Sequence, residues 1–171
     1  ATKRYHKRGA VAAASFNKGD YSSGAHFYIV TGKPATENEL KLSEREITDE
    51  FIEKKFKELQ VPHRQQIQRL NNAAKHDAKK KDELSKLVGK LKAEARAAAK
   101  GNEFRYSAKQ RDEYMNTGGL PHLDAHYTVF GEVVEGMDVV ENISFADATS
   151  KGRPRQHIKI NNVTILDNYG E

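Results

Sequence analysis

The chain has 171 residues, 37% of them hydrophobic and 31% charged, with no tryptophan, so a single compact core spanning the whole length is not expected. Cysteine is absent, which excludes a disulfide framework, a thiolate nucleophile and a cysteine-based metal site, and leaves the redox compartment undecided. Most of the net charge of +5 lies between residues 36 and 100, where the signs are interspersed and basic residues do not alternate with aromatic ones; this is the pattern of a solvated helical surface, not of a nucleic-acid footprint.

The opening residues are basic and polar, unlike a signal peptide, and no apolar run approaches membrane-spanning length. After the lead-in Tyr5-His6-Lys7-Arg8, Gly9 opens a run of small residues, Ala10 to Ser15, read as a strand on which another segment packs closely; Ala12 and Ala13 are expected in a core. A turn-rich loop over 17–24 precedes His26-Phe27-Tyr28-Ile29-Val30, a strand by its aromatic and β-branched content, with His26, Tyr28 and Val30 on one face and Phe27 and Ile29 on the other.

Beyond Thr31-Gly32-Lys33-Pro34 the period changes and residues 36–114 read as helix. Thr48 begins a segment carrying Phe51, Ile52, Phe56 and Leu59 that Val61-Pro62 ends, and Arg64 to Ala78 carries a weaker stripe of Ile67 and Leu70. Residues 79–100 place Leu84, Leu87, Val88, Leu91, Ala95 and Ala98 on one face, with Gly101 as the stop. Ser107-Ala108-Lys109-Gln110 has capping-box form and starts a short helix that Gly118-Gly119 ends. Apolar stripes of this kind pack against one another, so a helical hairpin is expected, with a partner-binding or dimerising arm as the alternative.

Gly118-Gly119 and Pro121 then mark a tight loop before the β-prone run of Tyr127, Val129, Phe130 and Val133, interrupted by Gly131. His122 and His126 stand four apart, but that spacing aims two imidazoles at one ion only on a helix, and Pro121 leaves room for barely one turn, so no metal site is read. Met137 to Ile143 reads as a short helix, and His157 to Leu166 alternates as a closing strand. Asn142-Ile143-Ser144 and Asn162-Val163-Thr164 match the glycosylation pattern and are read as chance.

The stretch from Gly118 to Glu135, Gly136 to Glu141 after it, and near the start Gly9 to Ala14 followed by Ser22 to Thr31, together resemble the cyclophilin family of peptidyl-prolyl cis-trans isomerases, three motifs in the family's order. The resemblance covers residues 9–33 and 118–167. It implies an α+β chain: the C-terminal half of an antiparallel β-barrel from residues 1–33 and 118–171, with one short helix, and an inserted α-helical hairpin or small helical subdomain over 34–117. Ile158, Ile160, Val163 and Ile165 would then face the barrel interior. The family's catalytic arginine lies on a strand upstream of the first motif, so it and the remaining barrel strands are expected from an N-terminal segment of the same protein, or from a swapped chain. His63-Arg64, the one His-Arg pair here, lacks the Gly-Gly-Asp that follows in the family and is read as coincidence, so no catalytic residue is assigned within the chain.

What the resemblance implies for the site is a groove for proline-containing peptides or unfolded proteins, with no cofactor. Tyr28 stands where the family has the phenylalanine that floors the proline pocket, Leu123 at its wall, His122 at a position aromatic in many members, and Tyr127 where histidine is common. Ala14, Ser15 and Phe16 would line the groove beside the proline. His26 replaces the usual glutamine that contacts a peptide carbonyl; an imidazole can also donate one hydrogen bond, but histidine side chains change charge near neutral pH. An Xaa-Pro bond turns over a barrier of about 18–20 kcal/mol because the twisted state loses amide resonance. A pocket for the ring, groups that hold the flanking backbone and a donor to the proline nitrogen suffice, by binding the twisted state more tightly. The expected function is isomerisation in protein folding; the alternative is a non-catalytic proline-binding or chaperone-like module whose helices hold clients.

Overall fold

The computed structural model of the chain describes residues 4–15 and 21–166. Phe16, named above for the groove, lies outside them. The described chain builds two strands, four helices, a third strand and a last helix: β1 (Ala10–Ala13), β2 (Phe27–Ile29), α1 (Glu37–Gln60), α2 (Arg64–Ala73), α3 (Ala78–Ala99), α4 (Ala108–Asn116), β3 (Thr128–Glu132) and α5 (Met137–Ser144).

The three strands form one antiparallel sheet in the order β2-β1-β3, with Ala12 opposite Tyr28 on one side and Val129 on the other. A register shift between Val11 and Ala12 leaves Phe130 as the extra residue of β3, the position that a β-bulge gives an unpaired residue. The small residues of β1 fit its central place, since Ala10 and Ala12 are buried under both neighbours. The sheet is open and does not close into a barrel among the described residues. The closing strand expected from His157 to Leu166 is absent: the stretch is irregular and Ile165 is 87% exposed. Alternating side chains supply only half of what a strand needs, and here no neighbouring ladder meets the backbone N–H and C=O groups.

Each helix follows its local signals. Thr36 caps α1 in a capping box with Glu39, and the helix begins eleven residues before the expected Thr48, taking in the buried Leu40, Glu44 and Ile47. Val61-Pro62 ends it in one 3₁₀ turn (Val61–His63). The helix α2 stops at Ala73, short of the expected Ala78, because Asp77 caps α3 by accepting from the Lys79 and Lys80 amides. Gly101 sits at φ +82° after α3, and Ser107 and Gln110 form the capping box of α4.

Two separate cores result. Phe56 of α1 packs with Leu91 and Ala95 of α3, flanked by Ile52, Leu59, Ile67, Leu87 and Val88; this is the helical hairpin expected from the stripes. The other core joins the first half of α1 to the loops that carry the site: Leu40, Tyr106 and Tyr114, with Tyr5, Ala35 and Phe104 against them. Glu44, buried in α1, accepts from the Tyr106 amide at 2.8 Å and from Arg111 Nη2 at 2.6 Å, tying α1 to α4. Among the described residues no helix is long and apolar enough to cross a membrane.

Candidate functional site

The sheet brings chain segments far apart in sequence to one end. The C-terminal end of β1 and the N-terminal ends of β2 and β3 coincide there, so Ala14, His26 and Tyr127 lie side by side. The Ala14 amide donates to the His26 carbonyl at 2.9 Å, which leaves the Ala14 methyl and not its N–H for a ligand. Ser15 keeps a buried hydroxyl with no hydrogen-bond partner among the described residues. His26 is exposed, and its Nδ1 lies 3.2 Å from Ser23 Oγ, which also accepts from the His26 amide at 3.1 Å.

Residues 118–127 enter from the other side. A Cβ on Gly118 would fall 2.4 Å from the Gly32 carbonyl oxygen, and one on Gly119 would fall 2.4 Å from the His6 carbonyl oxygen and 2.6 Å from the Tyr114 ring. The backbone then makes a 3₁₀ turn (Pro121–Leu123), fixed by Tyr106, whose hydroxyl donates to the Pro121 carbonyl at 2.8 Å. This turn sets Leu123 and Tyr127, both half-buried, and the exposed His122 on one cleft of about 540 Å³. The cleft's opposite wall is α1, through Glu46, Asp49 and Glu50, and His126 Nδ1 meets Glu50 Oε2 at 3.2 Å. Both histidines line this cleft, and among the described residues no group of three His, Asp or Glu side chains could hold a metal ion.

Beneath the cleft runs a polar chain built on His6, a residue the sequence reading left in its lead-in. His6 Nδ1 lies 2.7 Å from Asp124 Oδ1, its backbone amide donates to the same oxygen at 2.9 Å, and the Tyr114 hydroxyl donates to Oδ2 at 2.5 Å. On its other side, His6 Nε2 lies 3.0 Å from the Tyr28 hydroxyl. The rings of His6 and Tyr28 stack with centroids 6.1 Å apart, and Tyr28 meets Tyr127 edge-on at 5.9 Å. Burial first, then the neighbouring Tyr127 and Asp124, pushes the Tyr28 phenol up to about 12, and burial followed by Asp124 raises Tyr114 further still. Both phenols are thus neutral donors over the physiological range.

Of the residues singled out from the sequence, Tyr28 and Tyr127 are in ring contact, Leu123 and His122 share the cleft with Tyr127, and Ala14 and His26 are joined at the sheet end. His6, Asp124 and Tyr114 escaped that reading, because each takes its role from a partner far away in the chain. Residues 41–165 match the family described as cyclophilin type peptidyl-prolyl cis-trans isomerase/CLD. The chain therefore belongs to the cyclophilin-type peptidyl-prolyl cis-trans isomerase family. Similar curated proteins include peptidyl-prolyl cis-trans isomerase CYP71 of Arabidopsis thaliana, 46% identical over 52 residues, which are 30% of this chain and 8% of that protein. A putative peptidyl-prolyl cis-trans isomerase of Staphylococcus saprophyticus is 37% identical over 54 residues, 32% of this chain and 27% of that one. Peptidyl-prolyl cis-trans isomerase-like 4 of Homo sapiens is 40% identical over 63 residues, 36% of this chain and 13% of that protein. The chain thus spans between 8% and 27% of the length of these relatives. No solved structure matches it.

Proposed function

We propose that the chain carries the proline-binding side of a peptidyl-prolyl cis-trans isomerase and that residues 34–117 are a helical insertion into that domain. The observation that supports this reading best is the meeting of Tyr28 with Tyr127, beside a cleft that Leu123 and His122 share, from segments that only the fold brings together. In this reading the proline ring enters against Tyr28, Leu123 and Tyr127, His122 closes the rim, and Ala14 and Ser15 border the flanking backbone. His26 donates to a peptide carbonyl. No bond is made to the protein: the apolar pocket and backbone contacts hold the peptide, and the amide twists with less loss of contact than in water. The donor to the proline nitrogen is an arginine outside the described residues.

A non-catalytic proline-binding module is the second reading, and one observation favours it: the cleft's lining residues include no arginine among the described residues. Exchange NMR on an Ala-Pro peptide separates the two, run with this chain and with a longer form carrying the upstream strand. Interconversion accelerated by the longer form and lost in Tyr28→Ala and Leu123→Ala supports isomerase action. Peptide that binds both forms without acceleration gives the binding module, and peptide that neither binds nor exchanges faster overturns both.

A further inference from the structure

From the chain of contacts running from Asp124 through His6 to Tyr28, we infer that His6 is a positioning residue for the proline pocket, fixing the ring of Tyr28 and committing its hydroxyl proton away from the bound peptide. The inference rests on the functional reading above for the identity of the pocket, and on geometry for the rest. His6 is 1% exposed, so each of its polar atoms needs a partner inside the protein. Asp124 supplies one: Oδ1 faces Nδ1 at 2.7 Å and the His6 amide at 2.9 Å. A carboxylate oxygen only accepts, so the imidazole carries its proton on Nδ1, and in the neutral ring Nε2 is left as an acceptor. The group beside Nε2 is the Tyr28 hydroxyl at 3.0 Å, which must therefore donate. Asp124 is itself held from its other oxygen by Tyr114, which is fully buried.

Two consequences follow for the pocket. First, the Tyr28 side chain cannot swing from the sheet without losing its hydroxyl's bond to Nε2 and its edge contact with Tyr127. Second, the Tyr28 hydroxyl points its proton at His6, so its oxygen offers a bound peptide lone pairs alone. A phenol in a half-buried floor otherwise carries a desolvation cost when its donor goes unmet. His6 removes that cost and turns the extra hydroxyl into a clamp. His6 touches no substrate in this arrangement and works through Tyr28.

A double-mutant cycle on the 171-residue chain tests it. His6→Asn keeps an amide donor for Asp124 but is too short to reach Tyr28, and Tyr28→Phe removes the group on which His6 acts. With the Kd of an Ala-Pro peptide as the readout, His6→Asn is expected to weaken binding about fivefold in the parent chain, the equivalent of one hydrogen bond, and less than twofold in the Tyr28→Phe background. Equal losses in both backgrounds would show a merely structural histidine and overturn the inference. ¹⁵N NMR of the imidazole reads the same contact without a ligand. Tyr28→Phe should shift Nε2, the acceptor, and leave the protonated Nδ1 facing Asp124 nearly unmoved; an unmoved Nε2 would overturn the inference even if no proline peptide binds. Absence of peptide binding together with a shifted Nε2 would instead discard the functional reading and keep the clamp.

Discussion

At the scale of single residues, the site is held by phenols whose protons are committed. Burial is the first cause that raises Tyr5, Tyr28, Tyr106 and Tyr114 above the usual tyrosine value of 10.0; Glu113 adds to it at Tyr5, Tyr127 and Asp124 at Tyr28, and Asp124 at the other two. Below pH 10 these groups are neutral in both the folded and the unfolded chain. Above it only the unfolded chain ionises, so stability is lost from pH 10 upward through about 12 for Tyr28 and beyond for the others. The buried Tyr114 alone should contribute a slope of up to about 1.4 kcal/mol per pH unit in that range. Denaturant midpoints measured from pH 8 to 11.5 should fall, and Tyr114→Phe should flatten the fall; equal slopes would mean Tyr114 ionises as freely in the native state. Gly119 gives a second test. Its Cβ position is taken by the His6 backbone carbonyl and by the ring of Tyr114, a fully buried side chain with no room to withdraw, so Gly119→Ala should cost about 3 kcal/mol or more. A loss under about 1 kcal/mol would show that the crossing of residues 6, 32 and 119 yields easily.

At the scale of elements, helices were legible where the signal was local. The stripe Leu84, Leu87, Val88, Leu91, Ala95 gave α3 and its partner face, Gly101 its end, and Ser107 with Gln110 the start of α4. The start of α1 was equally local, in Thr36 and Glu39, but its first half carries only Leu40 and Ile47 as buried apolar residues among charges, too sparse a stripe to compete with the denser one after Thr48. What could not be read was whatever depends on a distant partner. His6 meets Asp124 only because β1, β2 and the loop after α4 cross at the glycines, and Ile158 to Ile165 alternate like a strand without a ladder to join. That contrast predicts where stability resides. Leu91 is 2% exposed at the α1 and α3 seam, and Leu91→Ala should cost about 2–5 kcal/mol. Because that core is separate from the one under the site, the loss should appear as faster amide exchange in α2 and α3 while the Ala10 to Ala13 amides keep their rates. Exchange that rises equally everywhere would make the two cores one cooperative unit.

At the scale of the whole molecule, the helical part and the sheet part are unequally finished. The helical end closes on its own core of Phe56, Leu91 and Ala95. The sheet end presents β2 and β3 as outer strands with no further neighbour among the described residues, and it leaves Phe27 54% and Phe130 51% exposed. Val134, Val139, Ile143 and Phe145 are exposed close by in sequence, as are the apolar side chains of residues 158–166. Open strand edges beside apolar surface are what soluble proteins ordinarily cover, since edge pairing between copies satisfies the free N–H and C=O groups and buries the side chains in one step. A further strand on either edge, from a second copy of the chain for example, would meet both needs. The 171 residues on their own should therefore associate as concentration rises and bind an apolar dye at the sheet end, while α1 and α3 remain the best protected from exchange. Sedimentation velocity over a hundredfold range of concentration, repeated with Phe130→Lys, reads this directly. The substitution puts a charge on the exposed position of β3 and should shift the chain toward monomer without loss of helix. A monomer at every concentration, dye-silent and unfolding in one cooperative step, would mean that the open sheet is already stable as it stands and that no further strand is needed to cover it.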